Sequence, residues 1–331
     1  MALNLPTWQP HAPLQLLLLD WAEAAEIELA VLRLDLMDPL ISGNKWFKLA
    51  PYLALAAESG AAGLISLGGA HSNHLHALAA AGQRFAFPVV GLLRGEPQDT
   101  PTVRDLQAWG MQLHWLGYGG YRARNKPDFW TVWQQRYPHL LAVGEGGSGL
   151  LGARGCMPLR QQALAQLSNI GWADYDAWWL AAGTGTTAAG LVLAEAGDKP
   201  VYAALAVPGD HGTAGQIARV LAEAGVADQG YHLLQACRGG FARMDAELLA
   251  FMAQTEQAGS LPLEPLYTAK ALLALREQTE AGYFARGSRV VLCLCIPVAC
   301  KVDVRLRRML ISRVALRLIN SNVQRRNWIL P

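Results

Sequence analysis

An α/β protein built on parallel sheets, in two domains, is what this sequence predicts, and three observations predict it. Apolar runs of strand length alternate with helical patterns along most of the chain. Glycine-rich or polar turns separate the runs from the helices that follow. At 331 residues the chain is too long for one small core and suits two domains of roughly 100–200 residues. Apolar residues make up 52% and charged residues 16%, enough to fill buried cores and to argue against disorder. A net charge of +2 gives no reason to expect nucleic acid or an anionic membrane as partner.

The elements follow in order. Glu28–Leu34 is strand-like, and the segment from Ile41 to Leu49 opens a helical pattern. Ala62–Leu67 reads as a buried strand and His71–Ala81 as the helix after it. Phe87–Leu93 and Gln112–Leu116 are strands. Ala177–Ala182 is a strand with a helix over Thr187–Ala196, and Val201–Val207 is a strand with a helix over Thr213–Glu223. Ser288–Leu294 is a late strand. Nearly continuous apolar runs belong to parallel sheets covered on both faces. In such sheets ligands sit at the carboxyl ends of strands, so the turns just passed are the places to look for function.

The five cysteines, Cys156, Cys237, Cys293, Cys295 and Cys300, show no paired framework and read as reduced thiols in a cytosolic protein. The N-terminal apolar run Leu16–Leu19 stops at Asp20 with no basic region before it, unlike a signal peptide. The longest later apolar stretch, Ala177–Ala194, is broken at Gly183–Thr187 and falls short of the roughly 20 residues a bilayer span needs. A soluble, cytoplasmic protein is expected.

Four segments could carry chemistry. In Ile41-Ser42-Gly43-Asn44-Lys45-Trp46-Phe47-Lys48-Leu49, Lys45 follows a Gly-Asn turn and sits among apolar residues. That setting can lower an amine's pKa for covalent catalysis with an aldehyde cofactor; alone, it also fits a snorkelling surface lysine. In Ser66-Leu67-Gly68-Gly69-Ala70-His71-Ser72-Asn73-His74, a strand ends in a glycine turn and small polar residues start a helix. Such an N-terminus suits a carboxylate, or is simply capped by Ser72 or Asn73. His71, His74 and His76 have no Cys, Asp or Glu nearby, so no metal site is expected. Gly183-Thr184-Gly185-Thr186-Thr187, between strand and helix, can cradle a phosphate or be a plain turn. A dinucleotide fold would want an acid near the end of the next strand, but Val201–Val207 ends in Pro208-Gly209. Leu263-Glu264-Pro265-Leu266-Tyr267-Thr268-Ala269-Lys270-Ala271 is a proline turn opening a helix.

Together and in this order, these segments closely resemble the family of 1-aminocyclopropane-1-carboxylate (ACC) deaminase and D-cysteine desulfhydrase, from about Leu32 to about Leu292. The most specific marks are Ser42-Gly43-Asn44-Lys45 with Lys48, Gly69-x-x-Ser72-Asn73-His74, and Pro265-x-Tyr267-Thr268-x-Lys270. The resemblance implies the two-domain pyridoxal 5′-phosphate (PLP) fold type II, like tryptophan synthase β, with three-layer parallel-sheet domains. The larger domain would span 1–49 and 156–300, with a smaller one, 50–155, inserted in it. It implies PLP held covalently by Lys45, which also moves protons. Ser72 would help hold the substrate carboxylate, with His71, Asn73 and His74 in the same turn, and Asn73 would meet the cofactor's ring oxygen. Gly183, Thr184, Gly185, Thr186 and Thr187 would bind its phosphate. Tyr267 would be the active-site tyrosine and Thr268 the partner of the pyridine nitrogen. ACC deaminases carry glutamate at that last position, and desulfhydrase-like members carry threonine. A hydroxyl makes the ring a milder electron sink, which favours α,β-elimination from a small amino acid, plausibly D-cysteine, over cyclopropane opening. His71 departs from the glutamine common in both enzymes and would place a titratable group beside the substrate carboxylate. A homodimer is also implied.

The end of the chain breaks the pattern. Residues 301–331 hold eight Lys or Arg against one Asp, the preceding 300 hold 20 against 25, and no glycine occurs from Cys293 onward after 33 before it. The family's strand is normally followed by a His-Thr-Gly-Gly-type loop. One permitted codon choice for Cys295–Val304 reads in another frame as His-Thr-Gly-Gly-Leu-Gln-Gly-Arg-Arg. The tail is therefore expected to be a frameshift product, giving an inactive or damaged homologue as one reading. The alternative is a genuine basic amphipathic helix over Arg305–Leu318.

Overall fold

The computed structural model describes residues 3–4, 7–240, 243–259 and 261–294. The altered tail, with Cys295, Cys300 and the basic segment 305–318, lies outside the described residues. Among those described, the strands are β1 (Leu14–Leu16), β2 (Glu28–Arg33), β3 (Gly63–Gly68), β4 (Val89–Leu93), β5 (Gln112–Trp115), β6 (Leu140–Ala142), β7 (Ala177–Ala182), β8 (Val201–Leu205), β9 (Tyr231–Gln235) and β10 (Arg289–Leu294). They form a six-stranded sheet of order β1-β2-β10-β7-β8-β9 and a four-stranded sheet of order β5-β4-β3-β6. All pairings are parallel except β1 with β2, so the larger sheet is mixed rather than wholly parallel as the apolar runs suggested. β10 lies between β2 and β7, so Leu294 ends it in the middle of the larger sheet's carboxyl edge, beside the end of β7.

Both sheets are covered on both faces, because successive residues of a strand point to opposite sides. On β7, Trp178, Leu180 and Ala182 join one core with Leu191, Ile217 and Leu221. Trp179 points the other way, into a core with Leu272, Leu275 and Phe251. On β10, Val291 and Cys293 take the first side and Val290, Leu292 and Leu294 the second. In the smaller sheet, Leu64, Val89 and Leu93 face Leu49, Leu53 and Leu78, while Ile65, Val90 and Leu92 face Tyr121 and Trp133.

Three short-range packings place the elements that carry the candidate site. The helix Leu150–Cys156 lies against the helices Lys45–Glu58 and Thr186–Glu195. Its approach depends on glycines. A Cβ on Gly155 would sit 2.0 Å from the Phe47 carbonyl oxygen, and one on Gly152 would sit 1.9 Å from the Gly147 oxygen. On the facing helix, a Cβ on Gly190 would lie 2.3 Å from the Ala153 oxygen. Pro51 lies inside the Lys45 helix and has no N–H to give the carbonyl four residues earlier. That carbonyl is Phe47's, the one that meets Gly155.

The expected elements are present with shifted ends. The helix expected over His71–Ala81 runs Asn73–Phe85, because the Ser72 hydroxyl accepts from the Leu75 N–H and caps it there. The helix expected from Thr187 starts at Thr186 and ends at Glu195. β1, β6 and β9 had no strong sequence signal: the first two have three residues each, and β9 is an edge strand with His232 and Gln235 in it. No described helix is long and apolar enough to cross a membrane.

Candidate active site

The carboxyl end of β7 and the start of the Lys45 helix meet. After β2, the chain turns so that the Gly43 N–H donates to the Leu34 carbonyl at 2.9 Å, with Gly43 at φ +78°, a conformation glycine adopts without strain. The Asn44 amide then donates to Thr187 Oγ1 at 2.6 Å. This bond ties the turn that presents Lys45 to the Gly183–Thr187 turn, 143 residues later. Lys45 is half-buried at the first position of its helix.

Gly183–Thr187 forms a tight polar cup. Gly185 has φ +75°, and a Cβ there would lie 2.6 Å from Ile217. The helix Thr186–Glu195 has no side-chain cap, so its first N–H groups point into the cup with the positive end of the helix dipole. Thr184 and Thr186 hydroxyls are 3.0 Å apart, and Thr213 anchors the turn by donating to the Gly183 oxygen at 2.7 Å.

A second glycine turn closes the space. Gly146 and Gly147 both have φ +69°. A Cβ on Gly146 would lie 3.3 Å from Thr184, and one on Gly147 would lie 2.9 Å from Lys48 Cβ and 3.4 Å from His74 Cε1. Lys48 is 2% exposed, and no hydrogen-bond partner for its ammonium is found among the described residues. The uncapped helix start and the threonine hydroxyls, with Lys48 packed against the neighbouring Gly147 turn, make a donor set suited to a phosphate dianion.

The other expected residues are distributed as follows. His74 is buried, and its Nε2 lies 2.8 Å from Ser66 Oγ, which itself donates to the Val143 carbonyl at 2.9 Å. His71 is exposed, while Ser72 and Asn73 are half-buried at the helix start. Tyr267 rests against Gly183, its Cε1 3.2 Å from where a Cβ would be. Burial first, then Glu264 and Glu145, pushes its hydroxyl well above the usual tyrosine range. Thr268 is fully buried. Its hydroxyl accepts from the Glu264 N–H at 2.9 Å and donates weakly to the Glu264 carbonyl at 3.3 Å. Among the described residues no group of acidic, histidine and cysteine side chains could hold a metal ion.

Sequence reasoning assigned no role to the Gly144–Gly149 turn, to Ser66 or to Glu264. Glu264 is buried and receives the N–H groups of Leu266, Tyr267 and Thr268. Three glycines in the four residues Gly146-Gly147-Ser148-Gly149, after a short apolar run, were the available signal for the turn.

The neutral, buried His74 gives a testable pH dependence. Burial first, then Lys45 and Lys48, lowers its pKa well below 6.5. The unfolded chain takes up a proton below pH 6.5 that the folded ring refuses, so stability falls as pH drops through that window. His74→Asn is expected to remove one proton's worth of that slope, up to about 1.4 kcal/mol per pH unit. Urea midpoints at about pH 5.5 and about pH 7.5 check this.

No known protein-family profile matches the sequence. Solved structures do match. One described as an ACC deaminase homologue superposes with a TM-score of 0.73 at 20% identity, over 88% of this chain and 90% of that one. The chain has the tryptophan-synthase-β fold, fold type II. Threonine deaminase isoform 2 from Solanum lycopersicum matches at TM-score 0.62 and 14% identity, over 86% of this chain and 78% of that one. Serine racemase from Dictyostelium discoideum matches at TM-score 0.62 and 14% identity, over 86% and 92%. At these identities the fold type II architecture is what is shared.

Proposed function

We propose that this fold type II chain is a PLP-dependent lyase or deaminase of a small amino acid. The observation that carries this is the bond from Asn44 to Thr187, which holds a candidate covalent lysine, Lys45, beside a phosphate-shaped cup. The residues fit the cofactor: Lys48 and the N–H groups and hydroxyls of Gly183–Thr187 supply what a phosphate dianion needs. When bound, PLP supplies an electron sink for a bond broken at the substrate's Cα. Lys45 holds the cofactor and moves the Cα proton. The helix start at Ser72, Asn73 and His74 receives the substrate carboxylate, with His71 at its rim, and Asn73 turns its amide to the ring oxygen. Tyr267, packed against Gly183, is the active-site tyrosine. The domain division is 1–49 with 156–300 around an inserted 50–155, and the working unit is a homodimer.

Thr268 favours α,β-elimination. Its hydroxyl gives up only a 3.3 Å bond to Glu264 to meet a pyridine nitrogen, and a neutral partner leaves the ring a mild sink. D-cysteine is the preferred substrate, giving sulfide, ammonia and pyruvate. A hydrogen sulfide-producing enzyme from Fusobacterium nucleatum shares the fold at TM-score 0.60 and 13% identity, over 86% of this chain and 93% of that one. The test is a D-amino-acid panel with purified protein and PLP. Sulfide from D-cysteine is expected; 2-oxobutyrate from ACC with no sulfide would assign the ACC deaminase reaction instead.

A further inference from the structure

The glycine turn that closes the cup is anchored from outside. Within it, the Gly147 N–H donates to the Gly144 carbonyl at 3.0 Å and the Ser148 N–H to the Glu145 carbonyl at 3.2 Å. Gly146 and Gly147 both have φ +69°, and glycine is free to leave that conformation. Two anchors oppose this. After the glycines, Tyr52 donates to the Ser148 carbonyl at 2.5 Å. Before them, both carboxylate oxygens of Glu145 are engaged. The Tyr121 hydroxyl donates to Oε1 at 2.6 Å, and Arg124 Nε donates to Oε2 at 2.8 Å. Arg124 also closes over Tyr121, with Nη1 3.2 Å from the Tyr121 carbonyl oxygen and its guanidinium carbon 4.7 Å from the ring centre. Tyr121 is itself buried in the core with Ile65, Leu67 and Leu92 of the smaller sheet. Burial, and then Glu145, holds its hydroxyl well above the usual tyrosine range, so it stays a donor.

Resting on the PLP reading above, we propose that Glu145, held by Tyr121 and Arg124, is a positioning residue for the cofactor's phosphate. It acts through the next residue. Gly146 packs on Thr184, whose Cγ2 lies 3.3 Å from where a Gly146 Cβ would be. Thr184 in turn holds its hydroxyl 3.0 Å from that of Thr186 in the cup. With Glu145 fixed, Gly146 backs the Thr184 methyl group and keeps the rotamer that pairs the two hydroxyls. With Glu145 loose, the glycines can drift and that backing is lost. Arg124 also balances a negative charge that would otherwise stand one residue from the wall of an anion site. The route runs from the core of the smaller sheet to the carboxyl edge of the larger one, so a single carboxylate sets one half of the cup against the other.

The test compares PLP with pyridoxal, which lacks the phosphate, by titrating the visible absorbance each gains on binding the full-length protein. Tyr121→Phe keeps the buried ring and removes the donor. It is expected to weaken PLP about fivefold, the scale of one hydrogen bond, and to leave pyridoxal unchanged, which also shows that the variant folds. Glu145→Ala should weaken PLP at least as much, and Tyr121→Phe should add nothing in that background. The decisive pair is Tyr121 with Thr184, between which no hydrogen bond is found among the described residues. Thr184→Val should weaken PLP and spare pyridoxal, and Tyr121→Phe should add nothing to it, because both act on the same hydroxyl. Full PLP affinity in Tyr121→Phe, losses that add across Tyr121 and Thr184, or equal weakening of pyridoxal would each overturn the proposal. A wild-type protein that binds neither aldehyde would overturn the PLP reading, and this proposal with it.

Discussion

Lys45→Ala is expected to abolish both turnover and the visible band that the wild-type protein gains with PLP. The loss in rate should be on the order of 10⁴-fold or more, the scale seen when a covalent catalytic group is removed. The variant should fold as the wild type does, because Lys45 is half-buried at the first position of its helix and alanine is the best helix former. Residual phosphate binding is the discriminating detail. The cup at Gly183–Thr187 and the buried Lys48 remain, so PLP should still bind weakly and without covalent attachment. Equilibrium dialysis with the variant checks this, and a wild-type visible band in it would show that another amine does the work.

Gly155→Ala is expected to produce the second large effect, this time on folding. Its methyl group would have to occupy a point 2.0 Å from the Phe47 carbonyl oxygen and 2.9 Å from Pro51. Neither can yield cheaply. The carbonyl is backbone inside a helix, and Pro51, the residue whose missing N–H freed that carbonyl, is held in its ring. The helices must separate, and overpacking of this kind costs about 1–3 kcal/mol, more where backbone is in the way as here. Because the displaced helix begins at Lys45, PLP affinity should fall along with thermal stability. A substitution at an exposed glycine with no neighbour within 4 Å, such as Gly119→Ala, serves as the control and should leave cofactor binding unchanged. Differential scanning calorimetry with and without PLP measures both.

The sequence made the parallel-sheet architecture readable because β3, β4, β7, β8 and β10 are buried on both faces and so appear as unbroken apolar runs. β9 escaped because an edge strand is only partly buried: its pattern mixes Tyr231, His232 and Gln235 with two leucines. Lys45 and the Gly183–Thr187 turn were legible because each joins a special backbone shape to a chemically distinctive side chain. Lys48, Ser66 and His74 were not legible as a group. They lie on three separate elements, and what brings them near one another is the segment 143–147, whose Val143 carbonyl meets Ser66 and whose Gly147 packs between Lys48 and His74, an approach only the tertiary structure shows. The family resemblance implied Thr268 as a ring partner, but its double link to the Glu264 backbone depends on the way the proline turn folds back over the helix start.

The most direct measurement of the central claim is to mix the protein with PLP, reduce with borohydride to fix any amine–aldehyde bond, digest it and map the label. A single labelled peptide with the modification on Lys45 is the predicted result. Label on Lys48, label scattered over exposed lysines, or no label would contradict the assignment.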